Sequence, residues 1–136
     1  MDIENLKNIE WKGFLSRNDL DSNIFSSDIV LIPSRFESFG LVAIESFSLA
    51  KPVITIDVGG MGEVVDHDID GYKFPDDENL VTKIKEKIIS LSLDNNKISL
   101  LSRNARKKYE DKYTIDKMVS GMSSMYQNVL MGKVKK

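Results

Sequence analysis

Cysteine is absent from the 136-residue chain, which excludes disulfides and thiolate metal sites and leaves a reducing compartment allowed. Histidine occurs once. His67, between Asp66 and Asp68, sits in a polar loop and reads as a solvated side chain rather than a ligand, so no metal site is expected. Charge of one sign is lacking too: 19 basic and 21 acidic residues leave a formal charge of −2. That balance removes the electrostatic reason to expect nucleic acid as a partner. No apolar run approaches the roughly 20 residues of a membrane span. Met1 to Ile9 is too polar and charged for a signal peptide. The remaining composition, 41% hydrophobic, is enough for one packed core, so residues 1–136 are expected to form a single soluble, cytoplasmic domain.

What is present alternates. Trp11 to Leu15 reads as a short strand, and Leu20 to Phe25 as a helix entered through Ser16 or Asn18. Asp28 to Ile32, closed by Pro33-Ser34, has the continuous apolar pattern of a strand buried on both faces. Phe39 to Ala50 carries helix spacing, and Pro52 to Ile56 is a second buried strand. Met61 to Asp66 is a short helix and Gly71 to Phe74 a last strand. Strands and helices in strict alternation imply a parallel α/β sheet with helices on both faces. About four strands are too few for a complete doubly wound sheet. An unpaired edge of that kind recruits a partner, so a homodimer is expected.

From Asp77 onward the pattern is purely helical. Asp76-Asp77-Glu78 caps the entry, and Leu80, Ile84, Ile88 and Leu91 mark one stripe. Ile98, Leu101, Ala105 and Tyr109 mark the next, after a turn at Asp94-Asn95-Asn96. Thr114 is placed to cap a third helix with Ile115, Met118, Met122, Tyr126 and Val129 on one face. The five methionines after Lys51 read as core. The competing reading gives Met118, Met122 and Met125 to a partner domain, without which they form an exposed apolar patch. The lysines of the tail, Lys133, Lys135 and Lys136, read as a frayed, solvated end.

In parallel sheets ligands collect at the carboxyl ends of the strands. Two loops there are unusual: Pro33 to Gly40 and Asp57 to Glu63. Each delivers small residues at a helix start, where free amides and the helix dipole favour an anion. Ser38 and Gly40 leave room for a phosphate at the amides of Phe39 to Leu41. Gly59-Gly60 permits a tight entry into its helix, or is simply a turn. Glu45 lies inside a helix that is apolar nearly all round, with no cation three or four residues away. Either it shares a narrow exposed stripe with Ser38 and Ser48, or it accepts hydrogen bonds from ligand hydroxyls beside Glu37.

The stretch from Ser27 to Val65 carries P-S-x-x-E-S-F-G-x-x-x-x-E, with Glu37 and Glu45 in E-x7-E spacing, then P-V-I and G-G-x-x-E (Gly59, Gly60, Glu63). His67 to Phe74 and Trp11 to Leu15 extend the match to roughly residues 10–75. This string closely resembles the C-terminal domain of retaining GT-B glycosyltransferases of the group 1 family. The resemblance implies a Rossmann-like, partial doubly wound domain that binds the nucleotide-sugar donor, with the N-terminal acceptor domain absent. It implies hexosyl transfer with retention, without metal and without a cofactor beyond the donor, in polysaccharide or glycolipid biosynthesis. Glu45 would accept ribose hydroxyls, and Glu37, the catalytic candidate, would approach hydroxyls of the transferred sugar. Backbone around Ser38, Phe39, Gly40 and Leu41 would hold the sugar and pyrophosphate. Gly13, Phe14 and Leu15 would touch the base, and Gly59, Gly60 and Glu63 would complete the donor loop. The full enzyme would need an acceptor-binding domain or chain and would sit peripherally on a membrane. The alternative is a non-catalytic nucleotide-sugar-binding or assembly module that pairs with a separate acceptor-domain chain. Two departures stand out. The family's basic G-R…K-G region has no counterpart in Met1 to Glu10, leaving Lys7, Lys12, Arg17 and Arg35 as nearby cations. Ala50 stands where relatives commonly have glycine.

Overall fold

The computed structural model of the chain describes residues 7–132; the segment Met1 to Leu6 and the lysines of the tail lie outside the described residues. Three parallel strands, β1 (Val30–Ile32), β2 (Val53–Ile56) and β3 (Gly71–Phe74), pair in that order. Val30 lies opposite Val53, and Val53 opposite Gly71. Six helices are described: α1 (Arg17–Ser26), α2 (Leu41–Ser48), α3 (Met61–Val64), α4 (Leu80–Ser92), α5 (Asn95–Lys112) and α6 (Ile115–Leu130).

β2 holds the core because both of its faces are covered. Val53, Ile54, Thr55 and Ile56 are each at most 1% exposed. Successive side chains point to opposite faces. Val53 therefore joins Ile32, Phe47, Met61, Val64 and Ala105 beneath α2, α3 and α5. Ile54 joins Tyr72, Leu91 and Leu101 beneath α4 and the start of α5. Ser16, Asp94 and Thr114 cap α1, α5 and α6 by accepting the amides of Asp19, Lys97 and Lys117. At the entry to α4, Asp77 accepts the Asn79 amide at 2.9 Å.

Four sequence expectations are corrected. Trp11 to Leu15 is not a strand: among the described residues no strand pairs with it, and Gly13 adopts φ +62, outside the extended region. The sheet thus has three described strands rather than about four. Among the described residues β1 is an edge strand covered fully on one face only, with Leu31 44% exposed. Its open face continues into a groove of about 420 Å³ lined by Leu31, Pro33, Val81, Ile84, Ile88 and Ile89. Asn95 and Asn96 lie in α5, leaving Asp94 alone as its cap. The methionines also divide: Met61 is buried, whereas Met118, Met122, Met125 and Met131 are 44–66% exposed. No residue of α6 is buried, so its apolar face is a surface patch.

Ala50 is explained by the end of α2. Its amide donates to Phe47 O at 3.0 Å, and that of Lys51 to Ser46 O at 2.9 Å. This is the paired closure that demands a left-handed residue after the helix, and Ala50 supplies it at φ +58. An L-residue there costs about 1–2 kcal/mol, partly offset by the roughly 0.4–1 kcal/mol that glycine loses through its freer unfolded chain. Ala50→Gly is therefore expected to stabilise the fold by about 0.5–1 kcal/mol. Urea unfolding would show a raised midpoint at unchanged slope; a lowered midpoint would refute the strain.

Candidate functional site

The loops after β1 and β2 meet at the carboxyl edge of the sheet because the two strands are adjacent and parallel. They interlock through the backbone. The Gly60 amide donates to Glu37 O at 3.1 Å. A Cβ at Gly60 would lie 2.4 Å from Phe39 Cα, and one at Gly59 1.9 Å from Glu37 O. Gly59 moreover has φ +48. Only glycines permit this approach of two main chains. Gly40, at φ +91, is the cap of α2 and packs against the Met61 sulfur of α3.

Glu37 is half-buried, and its Oε1 accepts the Gly40 amide at 3.3 Å. A carboxylate thus lies at the α2 N-terminus, the position where free amides and the dipole favour an anion. Ser38, Phe39 and Leu41 are exposed around it. Glu45, also half-buried, has a partner that local spacing did not reveal: Arg17 Nη1 lies 2.5 Å from Glu45 Oε1. The Arg17 guanidinium is held at a second point, with Nε 3.2 Å from Asp21 Oδ1. Beside Glu45 it sits above its ordinary value, the Glu45 hydrogen bond being the largest cause. Both readings of Glu45 stand: its side chain is 28% exposed on the same face of α2 as exposed Leu41 and Val42, and from there its free oxygen could also accept ligand hydroxyls.

Other expected residues fall nearby or apart. Glu63 is exposed in the first turn of α3. Gly13, Phe14 and Leu15 line, with Leu20, an open pocket of about 290 Å³ next to α1. Arg35 reaches Asp76, Nε to Oδ2 3.3 Å. His67 is exposed, with Nδ1 2.8 Å from Lys73 O.

Sequence reasoning missed Lys108. Its ammonium is buried, 2.8 Å from Asp66 Oδ2 and 2.9 Å from Asp70 Oδ2, and it donates to the Val64 carbonyl that ends α3. A signal existed: Lys108 falls on the buried face of α5, three residues after Ala105. A lysine there needs acceptors.

A family model described as glycosyl transferases group 1 matches residues 2–108. An uncharacterized glycosyltransferase of Methanocaldococcus jannaschii is 35% identical over 92% of this chain and 35% of its own length. Among solved structures, the C-terminal domain of a glycosyl transferase group 1 family protein (LpcC) from Francisella tularensis aligns with TM-score 0.67 and 28% identity. That alignment covers 76% of this chain and 52% of that one. Anabaena Alr3699/HepE in complex with UDP and glucose aligns with TM-score 0.74 and 22% identity, over 90% of this chain and 32% of that one. The chain spans about a third of the length of the curated relatives it matches along most of its sequence. Its parallel sheet with flanking helices is the fold of GT-B glycosyltransferases, and the chain belongs to the glycosyl transferases group 1 family.

Proposed function

We propose that this chain carries the donor-binding part of a glycosyltransferase that moves a hexosyl unit from a nucleotide sugar, with retention and without a metal, in polysaccharide or glycolipid assembly. The observation that carries the reading is the backbone interlock, Gly60 amide to Glu37 O at 3.1 Å. It joins the Glu37 loop, the start of α2 and the start of α3 into one wall. Glu45 takes the ribose hydroxyls, and Glu37 the hydroxyls of the transferred sugar. Amides of Phe39 to Leu41 face the diphosphate, where the dipole of α2 does the work of a cation. Gly59, Gly60 and Glu63 form the opposite lip, and Gly13 to Leu15 the base side. The long Glu37–Gly40 bond of 3.3 Å is weak enough to be exchanged for a donor oxygen. Support from likeness comes from the Anabaena neighbour, which shares the fold and is solved with UDP and glucose.

Transfer itself needs an acceptor-binding domain or chain, so this chain alone is expected to bind donor without turning it over. The edge of β1, with which no further described strand pairs, and the apolar face of α6 favour a second reading, an assembly module whose role is to pair with such a chain or with a second copy.

Isothermal titration with UDP, GDP and ADP, with and without Mg²⁺, tests the donor site. One nucleotide is expected to bind without metal, and Glu45→Ala to weaken it by about 1.5–3 kcal/mol, the worth of a hydrogen bond to a charged group. Affinity indifferent to Glu45→Ala would remove the ribose assignment.

A further inference from the structure

We infer that Arg17 is a positioning residue for the donor ribose: it fixes one oxygen of Glu45 and leaves the other turned to the vicinal hydroxyls. The inference rests on the reading of Glu45 as the ribose acceptor and adds the element that aims it. Three observations lead to it.

Arg17 opens α1, and its guanidinium is gripped twice, Nε by Asp21 at 3.2 Å and Nη1 by Glu45 at 2.5 Å. The contact to Glu45 runs from one nitrogen to one oxygen, not fork to fork. A carboxylate has about four lone-pair sites, so Oε2 stays available to two further donors. A ribose diol presents two such donors side by side.

Exposed ion pairs contribute little to stability, and the Arg17 side chain is 58% exposed. The pair therefore has little value as a brace between α1 and α2. What it does determine is the rotamer of a three-torsion side chain on a rigid helix. Holding that side chain before the ligand arrives removes an ordering cost from binding.

The grip also depends on shape. Asp21 and Glu45 are reached by two nitrogens of one planar group, and a lysine ammonium at position 17 presents a single nitrogen instead. Arg17→Lys is thus not a conservative change here, and Arg17→Gln removes both the charge and the reach of the guanidinium.

The test titrates UDP, GDP and ADP, and their 2′,3′-dideoxy counterparts, into the unchanged chain, Arg17→Gln, Arg17→Lys, Glu45→Gln and the Arg17→Gln/Glu45→Gln double variant. Circular dichroism confirms that each is folded. Loss of a restraint on an exposed pair predicts a fall of about fivefold in affinity for the ribonucleotide in Arg17→Gln. Arg17→Lys should regain only part of it. The dideoxy nucleotide should bind both proteins alike, and Arg17→Gln should cost nothing more once Glu45 is Gln. Equal losses for both nucleotides, or additive losses in the double variant, would mean that Arg17 acts on phosphate, base or fold, and would overturn the proposal. Weaker binding in Glu45→Gln with no change in Arg17→Gln leaves the ribose reading standing and overturns this one. Glu45→Gln binding like the unchanged chain, or no nucleotide binding at all, overturns both.

Discussion

Lys108→Met is expected to lower the unfolding free energy by about 3–5 kcal/mol, the cost of removing one partner from a buried ion pair. Asp70 is 1% exposed and would keep one donor, the Asp66 amide at 2.9 Å. The α3 end would also lose its cap at Val64 O. The three groups titrate in different directions. Burial, the largest single influence, would lower Lys108, but the hydrogen bonds it donates to Asp66 and Asp70, together with their charges, outweigh that and hold it above its ordinary value of 10.5. Its contribution is therefore complete below that pH and is lost as pH rises through the raised folded value. Asp66 is held low, first by its hydrogen bond to Lys108. Its contribution is present above 3.8 and disappears as pH falls through the lower folded value. Asp70 runs the other way, raised chiefly by burial, with Lys108 opposing. Its ionisation destabilises as pH rises through the folded value. Without Lys108 that opposition disappears, so the deficit of Lys108→Met should narrow as pH falls from 7 towards 5. Urea unfolding at the two pH values measures it. A deficit under about 1 kcal/mol, or one that widens on acidification, would show that the ammonium is not the partner that offsets the burial of Asp70.

Lys108 also marks where sequence reading works and where it stops. β2, β3 and the three final helices were legible because their signals are local: a β-branched run after Pro52, a glycine-led strand, helix spacing after Asp94 and Thr114. Trp11 to Leu15 has the composition of a strand, but a strand exists only with a neighbour, and none of the described strands pairs with it. Likewise β1 has the apolar content of a central strand, yet Leu31 is 44% exposed because the described residues close over that face only as far as the open groove beside α4. The stripe along α6 predicts an amphipathic helix, and Met118, Met122 and Met125 stand exposed on it. At the site, the E-x7-E spacing located both glutamates on one loop and helix. A half-buried carboxylate needs a partner, and no cation three or four residues away in α2 supplies one. The partner, Arg17, is 28 positions distant and is brought over by the turn into α1. Lys108 and Asp70 are joined in the same way, by folding rather than by spacing.

Gly60→Ala is expected to reduce nucleotide affinity by more than tenfold, about 1.4 kcal/mol or more, and stability by about 1–3 kcal/mol. The added methyl would meet Phe39 Cα at 2.4 Å, its carbonyl oxygen at 2.6 Å and its carbonyl carbon at 2.7 Å. All three are main-chain atoms, so no rotamer change relieves the clash. Either α3 retreats, breaking the Gly60–Glu37 bond, or the loop from Glu37 to Gly40 moves. In both cases the amides at the start of α2 shift relative to Gly59 and Glu63, and a diphosphate spanning them loses its geometry. Gly132→Ala separates this from generic glycine effects: Gly132 has φ +63 but nothing within 4 Å, so an alanine there meets strain of about 1–2 kcal/mol and no collision. Titration and thermal unfolding of the two variants side by side give the comparison. Nucleotide affinity retained in Gly60→Ala, with the fold destabilised, would mean that the interlock braces the sheet edge and does not shape the donor site. Affinity lost with the midpoint nearly unchanged would assign the close approach of these two backbones to ligand geometry itself.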